Sequence, residues 1–108
     1  MTLEELSERA VAVRLKYDQL NERKGARAWN ETDLMSGFVG DVGDLSKIIM
    51  AKKGLRPMDD IDEKLAHELA DCLWSVCVLA HKFGIDLGAE FMKTMDGLDK
   101  RIDNASAA

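Results

Sequence analysis

Apolar residues recur along most of this chain at the three- and four-residue spacing of an amphipathic α-helix. In the first segment, residues 3–23, they step by three and four in strict alternation, which predicts a helix with one narrow apolar stripe. The stripe consists of Leu3, Leu6, Ala10, Val13, Tyr17 and Leu20. No stretch alternates apolar and polar residues clearly enough to predict a strand. The pattern therefore predicts an all-α fold.

A second helix is predicted from an N-cap at Thr32 to about Lys53, because Thr is a good capping residue and Gly54 is a natural stop. Glycines recur at every third position inside it, and each destabilises a helix by roughly 1 kcal/mol relative to Ala. Such a repeat indicates either the close approach of another backbone or a bulky ligand, or simply tight helix packing. The glycines are Gly37, Gly40 and Gly43.

Two more helices complete the predicted set. The third covers residues 61–83, after a loop that contains the one proline of the chain. The fourth follows an N-cap at Asp86 and ends near Ile102. We therefore expect one four-helix bundle-like domain over residues 1–102, with residues 103–108 as a frayed tail.

The second half of the third helix is apolar all round, from Leu73 to Ala80. A helix that is apolar on every side must be covered on every side. A chain of 108 residues can barely do this for a long helix. We therefore expect another copy of the protein to cover part of it, so that the chain forms a homo-oligomer.

The composition argues against several classes of protein. Hydrophobic residues make up 46% and charged residues 32%, which argues against a disordered tail, and no apolar run approaches the ~20 residues of a membrane span. The net charge of -5 is opposite to that of most proteins that bind nucleic acid polymers. Cys72 and Cys77 lack a CxxC spacing and are expected to be buried thiols. With no signal peptide visible, we expect a cytoplasmic protein.

Two acidic pairs are candidates for chemistry. Asp41 and Asp44 lie on the second helix, and Glu68 and Asp71 on the third. Each i, i+3 pair projects from one side of its helix at the edge of the apolar stripe, where a carboxylate needs neutralisation. All-oxygen ligands favour Mg²⁺, or Mn²⁺, and Mg²⁺ commonly binds substrate phosphates. The alternative is that these acids form solvated faces or ordinary ion pairs.

The ordered set of motifs resembles the MazG-like all-α nucleoside triphosphate pyrophosphohydrolases over roughly residues 29–102. That family has an ExxE pair on one helix and an ExxD pair on the next. The segments that carry the resemblance are Trp29-Asn30-Glu31-Thr32-Asp33-Leu34, Asp41-Val42-Gly43-Asp44, Glu68-Leu69-Ala70-Asp71 with Cys72-Leu73-Trp74, and Phe83-Gly84-Ile85-Asp86-Leu87 with Phe91-Met92-Lys93-Thr94-Met95. The first pair departs from the family in being Asp/Asp, and Thr94 stands where relatives often have Lys.

The resemblance implies Mg²⁺-dependent hydrolysis of a (deoxy)nucleoside triphosphate to the monophosphate and pyrophosphate, in a dimer or tetramer, as nucleotide-pool housecleaning. The metal ligands would be Asp41, Asp44, Glu68 and Asp71. Either Asp41 or Asp44 would take the proton of the attacking water, and Glu68 would be essential for turnover.

Further side chains are candidates for substrate binding. Lys93 lies beside the family's basic position. Lys53 belongs to a basic cluster around the end of the second helix, with Lys47, Lys52 and Arg56. Both are predicted to contact phosphate, although a solvated surface is the alternative. Trp29 lies in a polar loop and could stack on a nucleobase or anchor the helix start.

Other functions remain open from the sequence. The heptad-like first helix and the Asp/Asp pair also fit a non-catalytic module for oligomerisation or partner binding, or a nucleotide sensor that binds without hydrolysis. A related enzymatic alternative is phosphoribosyl-ATP hydrolysis, whose family shares the helical design.

Overall fold

The periodic apolar pattern produces four helices in the computed structural model, which describes residues 1–107. No strand occurs within these residues, so the predicted all-α fold class is confirmed. The helices are α1 (Leu3–Arg23), α2 (Glu31–Lys52), α3 (Ile61–Lys82) and α4 (Leu87–Ala107).

The start of α2 corrects the predicted cap at Thr32. Asn30 is the N-cap, and its side-chain oxygen accepts a hydrogen bond from the Asp33 backbone N–H at 3.0 Å. The Asp33 carboxylate in turn accepts from the Asn30 backbone N–H at 3.0 Å. This reciprocal capping box satisfies two amides, whereas Thr32 lies inside the first turn. Arg27 pairs with Asp33 and ties the preceding loop to the same cap.

The ends of α2 and α3 and the start of α4 follow the expected chemistry, whereas the end of α4 does not. Gly54 and Gly84 adopt positive φ angles of 76° and 66° just beyond α2 and α3, a conformation that glycine adopts without steric cost. Asp86 accepts a hydrogen bond from the Ala89 N–H at 3.1 Å, as expected for the cap of α4. The predicted end at Ile102 is wrong, because α4 continues to Ala107 through a segment that contains neither Gly nor Pro. Ala108 lies outside the described residues.

Helices α2 and α3 form an antiparallel pair, and α1 packs on α3. Ion pairs join both ends of the α2–α3 pair, Lys52 to Asp62 at 2.6 Å and Lys82 to Glu31 at 3.5 Å. A small core lies where the three helices meet. It consists of Ala10, Leu34, Cys77 and Val78, with Leu3, Trp74, Leu79 and Leu87 packed around it.

The apolar second half of α3 is covered mainly by its own chain. Ser75, Cys77, Val78 and Ala80 are buried, whereas Leu73 is 42% exposed. The Trp74 indole N–H donates to the Ala10 carbonyl at 3.1 Å and so ties α3 to α1. The chain therefore covers more of this helix than the sequence led us to expect.

Helix α4 extends away from the other three. Its axis is bent by 107° from that of α3, and it has at most slight contact with the other described helices. The radius of gyration is 17.5 Å, against about 13 Å for a compact domain of this length. Three helices thus form the core of the single chain. Within residues 1–107, no individual helix has the length and hydropathy to cross a membrane, and only the bent α3–α4 pair meets that criterion jointly.

Candidate metal centre

Three carboxylates meet where α2 faces α3. Asp41 and Asp44 project from α2 and Glu68 from α3, and one oxygen from each lies within 4.8 Å of the others. We call these three residues the acidic cluster. The i, i+3 spacing places both aspartates on the side of α2 that faces α3, as the sequence predicted. Asp41 and Glu68 are partly buried, whereas Asp44 is exposed.

Glu68 is the residue of the acidic cluster whose negative charge is least favourable. One of its side-chain oxygens, Oε1, is buried and has no hydrogen-bond partner among the described residues. Burial raises the pKa of Glu68 above its ordinary value, and the charges of Asp41, Asp71 and Asp44 raise it further. This carboxylate therefore lies in a position where a positive charge would stabilise its ionised form.

Asp71 stands apart from this group. It is the fourth predicted ligand, but its carboxylate contacts His67 Nε2 at 3.1 Å, one helical turn away. Its charge still reaches Glu68 and contributes to the raised pKa there. The structure therefore brings three of the four predicted acids together and pairs the fourth with His67, which was not among the predicted site residues.

A cavity of about 420 Å³ lies beside the acidic cluster. Asp44 and Glu68 line it, and three basic side chains line it with them: Lys47, Lys64 and His67. Sequence reasoning placed Lys47 in a basic cluster but chose Lys53 as the substrate-binding residue. The signal that could have selected Lys47 is its position three residues after Asp44, on the same side of α2.

The predicted substrate-binding residues lie elsewhere. Lys53 is the exposed C-cap of α2, and Lys93 is exposed on α4. Neither they nor Trp29 are among the residues that line this cavity. Within one chain the structure does not bring them to the acidic cluster, and their contact with substrate stays a prediction.

A backbone hydrogen bond holds Trp29 in place, and its ring packs against α2. Its carbonyl accepts a hydrogen bond from the Arg14 guanidinium at 2.8 Å, and Arg14 is buried. The indole lies over Gly37, where an added Cβ would be 3.5 Å from the ring. Trp29 is nevertheless 48% exposed. Of the three glycines, only Gly37 has such a neighbour, since nothing lies within 4 Å of a Cβ built at Gly40 or Gly43.

Cys72 adjoins the acidic cluster. Burial raises the pKa of this thiol, and the charges of Asp41, Glu68 and Asp71 raise it further. A thiol held protonated is a poor ligand and a poor nucleophile. Cys77 is buried in the core, whereas Cys72 is only partly buried, and both are free thiols. The oxygen atoms of the acidic cluster are therefore the donors available to a cation here.

Comparisons of the chain with models of known protein families, with curated proteins and with solved structures find no significant match. The resemblance to the MazG-like pyrophosphohydrolases therefore stays a prediction that rests on the sequence motifs alone.

Proposed function

We propose that this protein is a Mg²⁺-dependent hydrolase that converts a (deoxy)nucleoside triphosphate to the monophosphate and pyrophosphate. The observation that supports the proposal best is the acidic cluster at the edge of a cavity that Lys47 and Lys64 also line. Carboxylates bind a hard cation, and lysines neutralise the phosphate oxygens that the cation leaves free. The two kinds of charge lie on the same cavity, as a metal–polyphosphate complex requires.

The donor set fits Mg²⁺, and Mn²⁺ would bind the same oxygens. Asp41, Asp44 and Glu68 would hold the ion, and the unpartnered Oε1 of Glu68 is an acceptor that it would satisfy. We retain Asp71 as a fourth ligand because its charge already acts on Glu68. Bound Mg²⁺ would supply charge neutralisation for the phosphates and a lower pKa for a coordinated water.

The side chains of the chain itself have distinct roles in this proposal. Asp41 or Asp44, whichever keeps an oxygen free of metal, accepts the proton of the attacking water. Lys47 and Lys64 hold phosphate oxygens from opposite helices of the cavity. His67 orients Asp71 through the contact between its Nε2 and the Asp71 carboxylate. The biological role that suits such a reaction is the removal of non-standard or surplus nucleotides.

The test is a panel of nucleoside and deoxynucleoside triphosphates, with phosphoribosyl-ATP included, assayed in Mg²⁺ by phosphorus NMR and pyrophosphate release. We expect monophosphate and pyrophosphate from at least one compound. Glu68→Gln should reduce turnover to below about 1% of wild type, a loss typical of removing one electrostatic element from an active site. Glu8→Gln removes an equivalent charge from the exposed side of α1 and is the matched control.

The same panel separates the alternatives. Tight nucleotide binding without products would favour a sensor, for which the short Asp/Asp pair is the supporting feature. Neither binding nor products would favour a partner-binding module, for which the exposed apolar residues of α4 are the supporting feature. Glu68→Gln with most of the wild-type rate would contradict the proposed role of the acidic cluster.

A further inference from the structure

Arg14 is the one charged side chain that α1 buries. It is 7% exposed, although arginines are rarely buried this far unless a partner holds them. Removing a guanidinium from water costs free energy that an apolar side chain at the same place would avoid. The packing of α1 on α3 therefore does not explain an arginine at this position, and its polar contacts are the place to look for a reason.

The guanidinium has one partner on its own helix and one beyond it. Its Nε lies 3.3 Å from the Asp18 carboxylate, one turn along α1. A terminal nitrogen donates to the Trp29 carbonyl at 2.8 Å. Within residues 1–107 this is the only hydrogen bond that Trp29 makes. Asp18 thus orients the guanidinium, and the guanidinium holds the residue that precedes the N-cap of α2.

The Trp29 ring lies further along α2 than the acidic cluster, towards the start of the helix. It packs on Gly37, which precedes Asp41 by four residues and Asp44 by seven. These three residues share one side of α2, so the ring lies about one turn, or about 6 Å along the axis, beyond Asp41. The cavity lies at the other end of the cluster, beside Lys47. A ligand that extends from the cavity across the acidic cluster therefore ends near the ring.

We propose that Arg14 is a positioning residue, which holds the Trp29 ring where it stacks on the base of a bound nucleotide. The inference rests on the proposed function, since it requires a nucleotide whose phosphates lie at the acidic cluster. Trp29 is 48% exposed, so part of the ring is available to a base. Arg14 does not touch the nucleotide. Its hydrogen bond fixes the backbone of Trp29 in advance and so reduces the entropy lost when the ring orders against the base.

A guanidinium suits this role because it is a rigid fork of donors. One planar group can meet the Asp18 carboxylate and the Trp29 carbonyl at the same time, in two directions. The ammonium of a lysine keeps the charge but offers one flexible nitrogen, and a methionine keeps only the length. Arg14→Lys and Arg14→Met therefore separate the geometry of the hydrogen bond from the bulk of the side chain.

The test compares a nucleoside triphosphate that the protein hydrolyses with inorganic tripolyphosphate, which lacks a base. Arg14→Met should raise KM for the nucleotide about tenfold and leave kcat within about twofold, because stacking is the same in the ground and transition states. The dissociation constant of Mg²⁺-tripolyphosphate, measured by calorimetry, should not change. Arg14→Lys should give a KM between those of wild type and Arg14→Met. Arg9→Met is the matched control, since Arg9 is exposed on α1.

A binding measurement separates the failure of this inference from the failure of the proposed function. The probes are the Mg²⁺ complexes of the α,β-methylene triphosphates of adenosine, guanosine, cytidine and uridine, which the reaction cannot cleave. A base stacked on Trp29 should quench its fluorescence in wild type, and Trp29→Phe should abolish this quenching. Arg14→Met should need about tenfold more probe for the same quenching. A wild type that is quenched but forms no product would contradict the proposed function alone, and the shift in Arg14→Met would still support the inference.

Three results would overturn the inference. The first is an Arg14→Met variant that matches wild type in KM and in quenching. The second is an equal loss of affinity for nucleotide and tripolyphosphate, which would mean that Arg14 only supports the fold. The third is a wild type that no probe quenches. If Arg14→Met does not fold by circular dichroism, Asp18→Asn takes its place, because it loosens the guanidinium without removing it and should raise KM for the nucleotide about threefold.

Discussion

Glu68 determines how the acidic cluster responds to pH. Its raised pKa means that the folded protein binds more protons than the unfolded chain at pH values above its ordinary pKa of 4.5. The free energy of unfolding therefore falls as the pH rises from below 4.5 through the pKa of the folded state. In metal-free buffer we expect Glu68→Gln to raise the free energy of unfolding at pH 7 by about 1 kcal/mol, as an unpartnered buried charge is removed.

This gain should disappear as the pH falls below 4.5, where wild-type Glu68 is protonated in both states. Denaturant melts with a chelator present, at neutral and acidic pH, measure both effects. Added Mg²⁺ should then stabilise wild type more than Glu68→Gln. Equal Mg²⁺ stabilisation of the two proteins would show that the cation does not use this carboxylate.

Lys47 and Lys53 provide a matched comparison at the level of single side chains. Both are exposed and lie near the end of α2, but only Lys47 lines the cavity. If phosphate binds there, Lys47→Ala should raise KM about tenfold, the loss expected for one charge-assisted hydrogen bond. Lys53→Ala should change KM less than twofold. Steady-state kinetics with a substrate from the panel measures both values of KM. A larger rise in KM for Lys53→Ala than for Lys47→Ala would identify Lys53 as the phosphate contact.

The acids of this site could be predicted from the sequence better than its bases. An i, i+3 spacing fixes the side of a helix, so Asp41, Asp44 and Glu68 could be expected to converge once α2 and α3 were expected to pair. The pairing of Asp71 with His67 depends on which rotamers the two side chains adopt, and spacing does not determine this. Lys53 was chosen over Lys47 because both belong to one basic cluster, although Lys47, three residues after Asp44, is the one that lies on the side of α2 next to the cavity.

At the level of the helices, the capping box of α2 is the feature most open to a direct test. Asn30→Ala removes the side-chain oxygen that accepts from Asp33 N–H and should lower the free energy of unfolding by about 1 kcal/mol. Thr32→Ala should change it by less than about 0.5 kcal/mol, because Thr32 lies in the first turn and is exposed. Thermal melts compare the two variants. A larger loss of stability in Thr32→Ala than in Asn30→Ala would show that Thr32 is the N-cap.

Helix positions followed from apolar spacing, while two of the ends did not. The bounds of α1 agree with the prediction, and the glycines at 54 and 84 stop α2 and α3. The cap of α2 was misplaced because Asn30 and Thr32 are both good capping residues, and only the reciprocal bond with Asp33 decides between them. The end of α4 was set too early because apolar spacing stops at Ile102 while helix propensity does not.

On the scale of the whole molecule, α4 makes the chain far more extended than its length requires. The principal extents of the chain are 60 × 41 × 27 Å. The exposed apolar residues of α4 include Phe91, Leu98 and Ile102. An isolated helix of this length is marginally stable in water. We therefore expect backbone amides of residues 92–106 to exchange hydrogen faster than those of α2 and α3. Mass spectrometry of exchanged peptides measures this, and protection equal to that of α3 would mean that another surface covers α4.

The direction of α4 also predicts the shape of the single chain in solution. Small-angle X-ray scattering of the protein, extrapolated to infinite dilution, should give a radius of gyration near 17.5 Å, or slightly larger with its hydration layer. A value near the ~13 Å of a compact domain would mean that α4 folds back on its own core. In that case α4 would cover apolar side chains of the other helices, such as Val39 and Leu69, that are exposed when it extends away from them.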